Sequence, residues 1–328
     1  MDKTIWVIDL GKYALKVFRC NCFAGGGNCL VLEKSYLFPR WGGDRANGSG
    51  AIGRFLETVK IEIADLVAVA IPSVCATVGG GDVLYRQLTE GSLDVRQGLL
   101  GAQIGVVAVE NMALNPHLKI FKDQGLKVCL ALPFCLALSN LISMGYTETI
   151  VSFSEQSNVI AVLSVGLASS ELVIRSADTL LVRSIPMGGE CFTKALAKGF
   201  SLPMAYAEQL KCRMDVQSQY AVMGVLTKPL NDFMIEVKKI IGIFQATHKT
   251  RVNKLFLVGG GAKTLGLREC LEKSFGLKGG VAFLDTLHNL TVLNKSPFCD
   301  DPGQFAICCG LALQATGMGN SRASFLLK

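Results

Sequence analysis

At 328 residues, half of them apolar and only 18% charged, the chain has material for one large domain or two of ordinary size. Its net charge of +7 lies in the second half, since residues 1–164 carry 14 basic and 14 acidic side chains and 165–328 carry 19 and 12; this suits a phosphorylated ligand or an anionic membrane surface, and the lack of a dense Arg/Lys block with interleaved aromatics argues against nucleic acid. The most apolar run, VCLALPFCLAL at 128–138, is too short to cross a bilayer and holds Pro133, and MDKTIWVIDL has no signal-peptide layout, so a cytoplasmic location is expected.

In chain order, apolar stretches at 4–10, 15–23 and 29–37, separated by Gly11 and by AGGGN, predict a three-stranded meander. A helix over 50–60 and the strand LVAVAIP at 66–72 follow. Residues 73–103 are glycine-rich and mixed in pattern, and predict no definite element. The strand VVAVE (106–110), a helix over 112–124 and the strand LKVCLAL (126–132) come next, with a helix starting near Pro133. The second half begins again in the same way. Strands at 148–154, 158–165, 170–175 and 179–186 precede helices at 189–199, 203–213 and 226–248. The strand KLFLVGG (254–260) leads into a helix at 264–275, and a last helix spans 303–316. A strand meander followed by helix–strand alternation, twice over, predicts an internal duplication. The expected division is 1–145 and 146–328.

Several motifs exclude themselves. The twelve cysteines form no C-x-x-C pair, and with His117, His248 and His288 they give no zinc-finger spacing. They read as reduced thiols serving as small core hydrophobes. GGGAKTLG at 259–266 is not a P-loop, because Lys263 follows alanine and the first glycine of that motif is absent. GGGD at 79–82 lacks the dinucleotide-binding spacing.

Four motifs remain, and their order is informative. DLGKYALK (9–16) is a strand–turn–strand whose backbone amides suit a phosphate, with Asp9 placed to hold Mg²⁺ through water and Lys16 on the same side. SVGLASS (164–170) is its counterpart in the second half. AEQLK (207–211) puts Glu208 and Lys211 on one helical face. VGGGAKTLGLRECLEKSFG (258–276) has glycines permitting close backbone approach to a flat ligand, followed by a helix. A plainer reading has these glycines and charges as turn and surface features.

In this order and spacing the chain resembles the actin-like ATPase superfamily and, within it, the PilM/FtsA branch. IPMGGECFTKALAKGFSLPMAYAEQLK (185–211), AIPSVCAT (70–77) and the run through DQGLK (123–127) carry the resemblance, which covers most of the chain. It implies an α/β fold of duplicated actin-like (ribonuclease H-like) domains around a nucleotide cleft, with a reduced inserted subdomain near 73–103. It implies that Asp9, Gly11 and Lys16 lie near phosphates and Mg²⁺, with Asp9 as the metal residue. It places Gly166 and Ser170 at the second phosphate loop, Glu208 and Lys211 at the ribose or adenine, and Gly259, Gly260 and Gly261 under the nucleotide.

Departures from that pattern bear on the chemistry. The second hairpin begins with Ser164 where the family has an aspartate needed for metal and attacking water. No acid occurs in LALPFCLALSNL, near Leu132–Pro133, where relatives often carry a water-orienting glutamate or glutamine. Lys12, Tyr13 and Ala14 replace small hydroxyl residues of the first loop. Phosphoryl transfer depends on metal, positioned water and preorganised donors. The expectation is therefore a pseudo-ATPase, not an enzyme, with no catalytic residues and with binding of ATP and Mg that is weak or absent.

The resemblance further implies a non-catalytic cytoplasmic scaffold of a type IV pilus or type II secretion platform at the inner face of the bacterial inner membrane. Its expected partners are the cytoplasmic tail of an inner-membrane pilus or secretion protein and a secretion ATPase, with membrane association through those partners. The tail would dock in a first-domain groove bordered by AIPSVCAT and 73–103, lined by Val83, Leu84, Leu88, Leu93 and Leu99. The stretch GNSRASFLLK (319–328) is similar to the N-x-R-x-x-F segment of GspL-type secretion relatives. The alternative is an active ATP-binding and ATP-hydrolysing actin-like filament protein. A sugar or acetate kinase on the same fold lacks a matching substrate motif.

Overall fold

The structure is a computed structural model that describes residues 3–23, 29–39, 49–62, 65–73, 76–79, 95–99, 106–110, 115, 118–119, 121–126, 128–145, 159–176, 179–212, 219–284, 286, 291–292, 297–316 and 325–326. The chain divides into two compact units. Unit 1 holds Met1–Ser152, Asp178–Leu180 and Asp285–Lys328, and unit 2 holds Phe153–Ala177 and Leu181–Leu284.

In unit 1 the meander forms as expected: β1 (Lys3–Asp9), β2 (Ala14–Phe23) and β3 (Cys29–Pro39) pair antiparallel. On the other side of β1, β4 (Leu66–Ile71) and then β8 (Val128–Pro133) add in parallel. Central strands of such a sheet are covered on both faces, so they read as continuous apolar runs rather than alternating ones. Ile5, Trp6, Val7 and Ile8 are accordingly all buried. One face packs on α1 (Ser49–Thr58), where Ala51, Ile52 and Phe55 meet Trp6, Ile8, Leu15 and Val17.

Helices α2 (Phe134–Gly145) and α8 (Ala306–Ala315) also pack in this unit. Every residue from Ala306 to Gln314 is buried, as expected of a helix apolar on all sides. It lies against α2, β1 and β4. Phe298, in the short helix α7 (Pro297–Asp300), and Phe305 close on Phe18 of β2 with ring centroids 5.1 and 5.3 Å away. The stretch 285–328, expected with the second domain, thus returns to the first. The physical reason is that the first sheet needs cover on both faces and α1 supplies only one.

Between β4 and β8 lies a small antiparallel sheet of β5 (Ala76–Gly79), β7 (Val106–Glu110) and β6 (Val95–Leu99), with β7 in the middle. The inserted subdomain therefore reaches residue 110 rather than 103, because β7 is its central strand. The proposed groove residues Val83, Leu84, Leu88 and Leu93 lie outside the described residues, as does the strand expected at 148–154. Of the helix expected over 112–124, residues 115, 118–119 and 121–122 are described and helical. Two-residue strands extend the large sheet at both margins: β14 (Thr291–Val292) beside β3 and β15 (Phe325–Leu326) beside β8.

Unit 2 repeats the arrangement. β9 (Val159–Val165), β10 (Ser170–Arg175) and β11 (Leu180–Ile185) form the meander, and β12 (Val252–Val258) and β13 (Val281–Phe283) add in parallel beyond β9. The order β11-β10-β9-β12-β13 matches β3-β2-β1-β4-β8 strand for strand. The core of this unit gathers Phe192 and Leu196 of α3 (Gly189–Gly199), Leu226, Phe233, Val237 and Phe244 of α5 (Gln219–His248), and Leu267 and Leu271 of α6 (Leu267–Phe275). Helix α4 (Met204–Cys212) packs on α3. α5 starts seven residues before the expected 226 and carries Pro229 within it.

Candidate functional site

The two glycine hairpins are superposable in register. In the first, Asp9 pairs across the strands with Lys16; in the second, Ser164 pairs with Glu171. Six residues separate each pair. A Cβ on Gly11 would lie 2.9 Å from the Ala14 carbonyl oxygen, and one on Gly166 would lie 2.8 Å from that of Ser169. Both turns close on the residue three positions ahead, and Gly166 N–H donates to the Ser169 carbonyl at 3.1 Å.

In hairpin 1, Asp9 is buried at 2% exposure and accepts a hydrogen bond from Lys16 Nζ at 3.0 Å. Burial alone would lower the Lys16 pKa, but the Asp9 carboxylate beside it, with smaller contributions from Cys308 and Asp301, outweighs burial and raises it. Beneath them the Cys308 thiol donates to the Lys16 carbonyl at 3.6 Å. Burial first, and then the Asp9 charge, push this thiol well above its ordinary value. Cys20 and Cys309 are raised chiefly by burial as well.

These shifts predict alkaline sensitivity. The folded thiols stay protonated at a pH where unfolded thiols ionise, so the unfolded state binds fewer protons and stability falls as pH rises. Lys16 acts in the same direction, its contribution being present below its ordinary value and lost as pH climbs through the raised one. The urea midpoint is expected to fall once pH passes the ordinary thiol value of 9.0. A midpoint unchanged between neutral pH and that region would contradict the burial of these groups.

Hairpin 2 is organised by its carbonyls. Gly166 and Leu167 carbonyl oxygens each accept from a first-turn amide of α3, Gly189 N–H and Glu190 N–H, both at 2.8 Å. Two of the amides left without partners at any helix N-terminus are satisfied in this way. A Cβ on Gly188 would meet the Leu167 carbonyl oxygen at 2.5 Å. Ser170, expected at a phosphate, is 1% exposed and donates its hydroxyl hydrogen bond to the Met187 carbonyl at 2.7 Å. Its role in this structure is to tie β10 to the entry of α3.

The third glycine segment, a 3-10 turn at Gly260–Lys263, closes on the same hairpin. Gly259 has φ +88°, and its missing Cβ would lie 2.5 Å from the Val165 carbonyl oxygen; that of Gly261 would lie 2.6 Å from Val165 Cγ1. The space that these two glycines leave is therefore filled by protein. Gly260 alone of the three is exposed.

Glu208 and Lys211 of α4 do come together, but on each other. Lys211 is 1% exposed, and its Nζ donates to both Glu208 carboxylate oxygens at 2.7 Å, to Thr193 Oγ1 at 3.1 Å and to the Gly189 carbonyl at 3.3 Å. Thr193 Oγ1 in turn donates to Glu208. A buried ammonium needs such a saturated set of acceptors. The network pins α4 to α3.

Thus unit 2 brings together Gly166, Ser170, Glu208, Lys211, Gly259 and Gly261, and unit 1 brings together Asp9, Gly11 and Lys16. Residues that sequence reasoning missed are Gly188 and Gly189, Thr193 and Glu171. The first three stand in the quoted stretch IPMGGECFTKAL without an assigned role. Glu171 becomes legible only once the two hairpins are aligned pair by pair, when it falls opposite Ser164 as Lys16 falls opposite Asp9. At the α2 N-terminus, Cys135 N–H donates to Ser73 Oγ at 2.8 Å, and residues 128–145 contain no acid. Among the described residues no group of three His, Cys, Asp or Glu side chains is placed to hold a metal.

Tested against Mg·ATP, this donor set fits poorly. Asp9 is engaged by Lys16, Glu208 by Lys211, and the space left by Gly259 and Gly261 is taken by Val165. Of the three glycines in the 259–261 turn, Gly260 alone keeps an exposed position.

Comparison with known proteins bears on this geometry. The family model of the type IV pilus assembly protein PilM matches residues 120–316, more than half of the chain. Among solved structures, the PilM–PilN type IV pilus biogenesis complex is similar over 95% of this chain and 98% of that chain, at 19% identity and a TM-score of 0.74. MreB 5 of Spiroplasma citri bound to AMPPNP is similar over 96% and 97%, at 13% identity and a TM-score of 0.56. An archaeal actin homologue in complex with ADP is similar over 95% and 99%, at 13% identity and a TM-score of 0.52. Comparison with curated protein sequences gave no match.

Proposed function

Because the chain belongs to the family of the type IV pilus assembly protein PilM, we propose that it is a non-catalytic actin-fold scaffold of the pilus assembly machine. A type II secretion platform is the related setting. The observation that carries the non-catalytic reading is the mutual engagement of its charged groups: Asp9 with Lys16 at 3.0 Å and Glu208 with Lys211 at 2.7 Å, beside Ser164 in the place of an acid. Phosphoryl transfer requires such groups to face metal, water and phosphate in the transition state. Bound nucleotide would have to compete with these pairs, so binding of ATP and Mg is weak or absent. If nucleotide does bind, the residues that would hold it are those of the two hairpin turns, apart from the Gly166 amide that the Ser169 carbonyl already takes, with Asp9 toward the metal, and Gly260.

The scaffold works by binding. The similar solved protein is in complex with PilN, and by that likeness this chain binds the cytoplasmic tail of an inner-membrane pilus protein, with a secretion ATPase as a further partner. Its place is then the cytoplasmic face of the inner membrane, reached through partners. No helix among the described residues is long and apolar enough to cross a membrane. The test is a pull-down of the full chain against the cytoplasmic tails of the cell's pilus and secretion membrane proteins, with and without Mg·ATP. Capture of one such tail, unchanged by nucleotide, supports the scaffold. Capture of none overturns it.

A second reading, an active ATPase, is favoured by one observation: Glu171 lies across the hairpin from Ser164, on the same face of the sheet as cross-strand partners do. In that reading Glu171 supplies from β10 the carboxylate missing from β9.

A further inference from the structure

The whole formal excess of positive charge belongs to unit 2, which carries 16 basic and 9 acidic side chains against 17 of each in unit 1. The excess is concentrated along the chain, since residues 237–268 hold seven basic side chains and no acidic one. Four of the seven, Lys238, Lys239, Lys249 and Arg251, belong to the second half of α5 and to the turn that follows it. All four are exposed, and among the described residues none of them has an ion-pair partner.

Beyond Pro229 the inner side of α5 is Phe233, Met234, Val237, Ile241 and Phe244, all buried. The residues at the complementary helical positions, Ile235, Lys238, Lys239, Gly242, Ile243 and Ala246, are all exposed. A solvated helix face ordinarily laces both signs of charge together. Here the acids, Asp232 and Glu236, stop at the start of the face, and two isoleucines stand 61% and 58% exposed. Gly242 and Ala246 are too small to cover Ile243, and a Cβ on Gly242 would meet nothing within 4 Å. The turn after the helix is tied back onto it, because Val252 N–H donates to Gln245 Oε1 at 3.2 Å. Within that turn Lys249 has φ +54°, the left-handed conformation that a helix end usually gives to glycine. A lysine there is held outward against its own backbone preference.

We propose that the outward face of α5 beyond Pro229, continued by Lys249 and Arg251, is a direct contact for an anionic lipid bilayer. The face combines what such a surface takes up. Bared aliphatic side chains enter the boundary between headgroups and acyl chains, and lysines lay their stems along it while their ammonium groups stay among the phosphates. Each Lys or Arg near a negatively charged leaflet adds to the attraction. A nucleic-acid backbone would engage the cations alone and leave Ile235 and Ile243 in water. The proposal gives unit 2 a lipid contact of its own, in addition to attachment through protein partners, and it does not depend on the scaffold reading.

The test is flotation of the full chain with vesicles of phosphatidylglycerol and phosphatidylcholine in equal parts, beside vesicles of phosphatidylcholine alone. The chain should float with the first and not with the second. Lys238→Gln with Lys239→Gln should weaken partition on the order of thirtyfold, and Ile235→Ser with Ile243→Ser on the order of tenfold. Lys194→Gln with Lys198→Gln in α3 removes the same charge elsewhere in unit 2 and should change partition little. All six side chains are exposed, so the thermal midpoints of the variants should match that of the unaltered chain. Absence of flotation with the anionic vesicles would overturn the proposal, as would flotation that ignores phosphatidylglycerol. Equal weakening by the α3 and α5 lysine pairs would reduce the effect to net charge and overturn this face. Loss in the lysine pair with none in the isoleucine pair would mark a site for a polyanion rather than a bilayer, and would also overturn it. Chain and vesicles are the only components, so failure here leaves the docking of a membrane-protein tail untouched, and a failed pull-down leaves this contact untouched.

Discussion

Lys211→Ala is expected to destabilise the protein by about 2–3 kcal/mol, a large share of the stability of an ordinary domain. The ammonium is 1% exposed and touches Glu208, Thr193 and the Gly189 carbonyl. Its removal leaves the half-buried Glu208 carboxylate facing Thr193 without a counter-charge, and it strands the Gly189 carbonyl and Thr193 hydroxyl that the ammonium had satisfied. The α3–α4 contact then loses its polar centre while Phe192 and Leu196 on the other side of α3 remain packed. Pairing Lys211→Met with Glu208→Leu removes both charges and should recover most of the loss, because a well-packed apolar pair can replace a buried ion pair. Urea unfolding of the single and double variants measures both. A single variant as stable as the unaltered chain would mean that Lys211 is held for a ligand rather than for the fold.

Gly310→Ala should destabilise unit 1 on the order of 3 kcal/mol, the upper range for forcing extra volume into a packed core. A Cβ at this position would lie 1.9 Å from the Ala137 carbonyl oxygen and 2.4 Å from its carbonyl carbon. Those atoms belong to the backbone of α2, so no side-chain rotation relieves the overlap and the two helices must separate. The same crossing holds Asn140, which donates to Gln314 Oε1 at 2.8 Å. Separation would therefore loosen a buried hydrogen bond as well. The control is Gly53→Ala in α1, where a Cβ meets nothing within 4 Å and a better helix former replaces glycine. Thermal unfolding should show a large fall for Gly310→Ala and none for Gly53→Ala. Equal midpoints would contradict the close helix crossing.

The duplicated fold was legible in the sequence because tight hairpins leave local marks. Gly11 and Gly166 each sit where a Cβ would strike the carbonyl three residues on, so the chemistry of the turn is written in two matching places. The apolar runs at 66–72 and 126–132 gave β4 and β8 within a few residues, since strands covered on both faces are apolar throughout. The destination of 303–316 was not legible. Its composition shows that the helix is buried, but burial is the same against either sheet; only the bare face of the first sheet decides it. The glycines at 259 and 261 were recognised as sites of close approach, yet a sequence cannot say whether the approaching atom is a ligand's or Val165's. Glu208 and Lys211 were placed on one helical face, and that spacing equally permits them to serve a ligand or to satisfy each other. Glu171 is not legible because the resemblance points to position 164 on its own strand, whereas cross-strand register is a property of the pair.

The central claim is that these internal pairings leave no working phosphoryl-transfer site. It is tested most directly by phosphate release from Mg·ATP, measured on the full chain beside Asp9→Ala and Glu171→Ala. The account predicts release at the level of buffer for all three proteins. Turnover by the unaltered chain that disappears in either variant would contradict it.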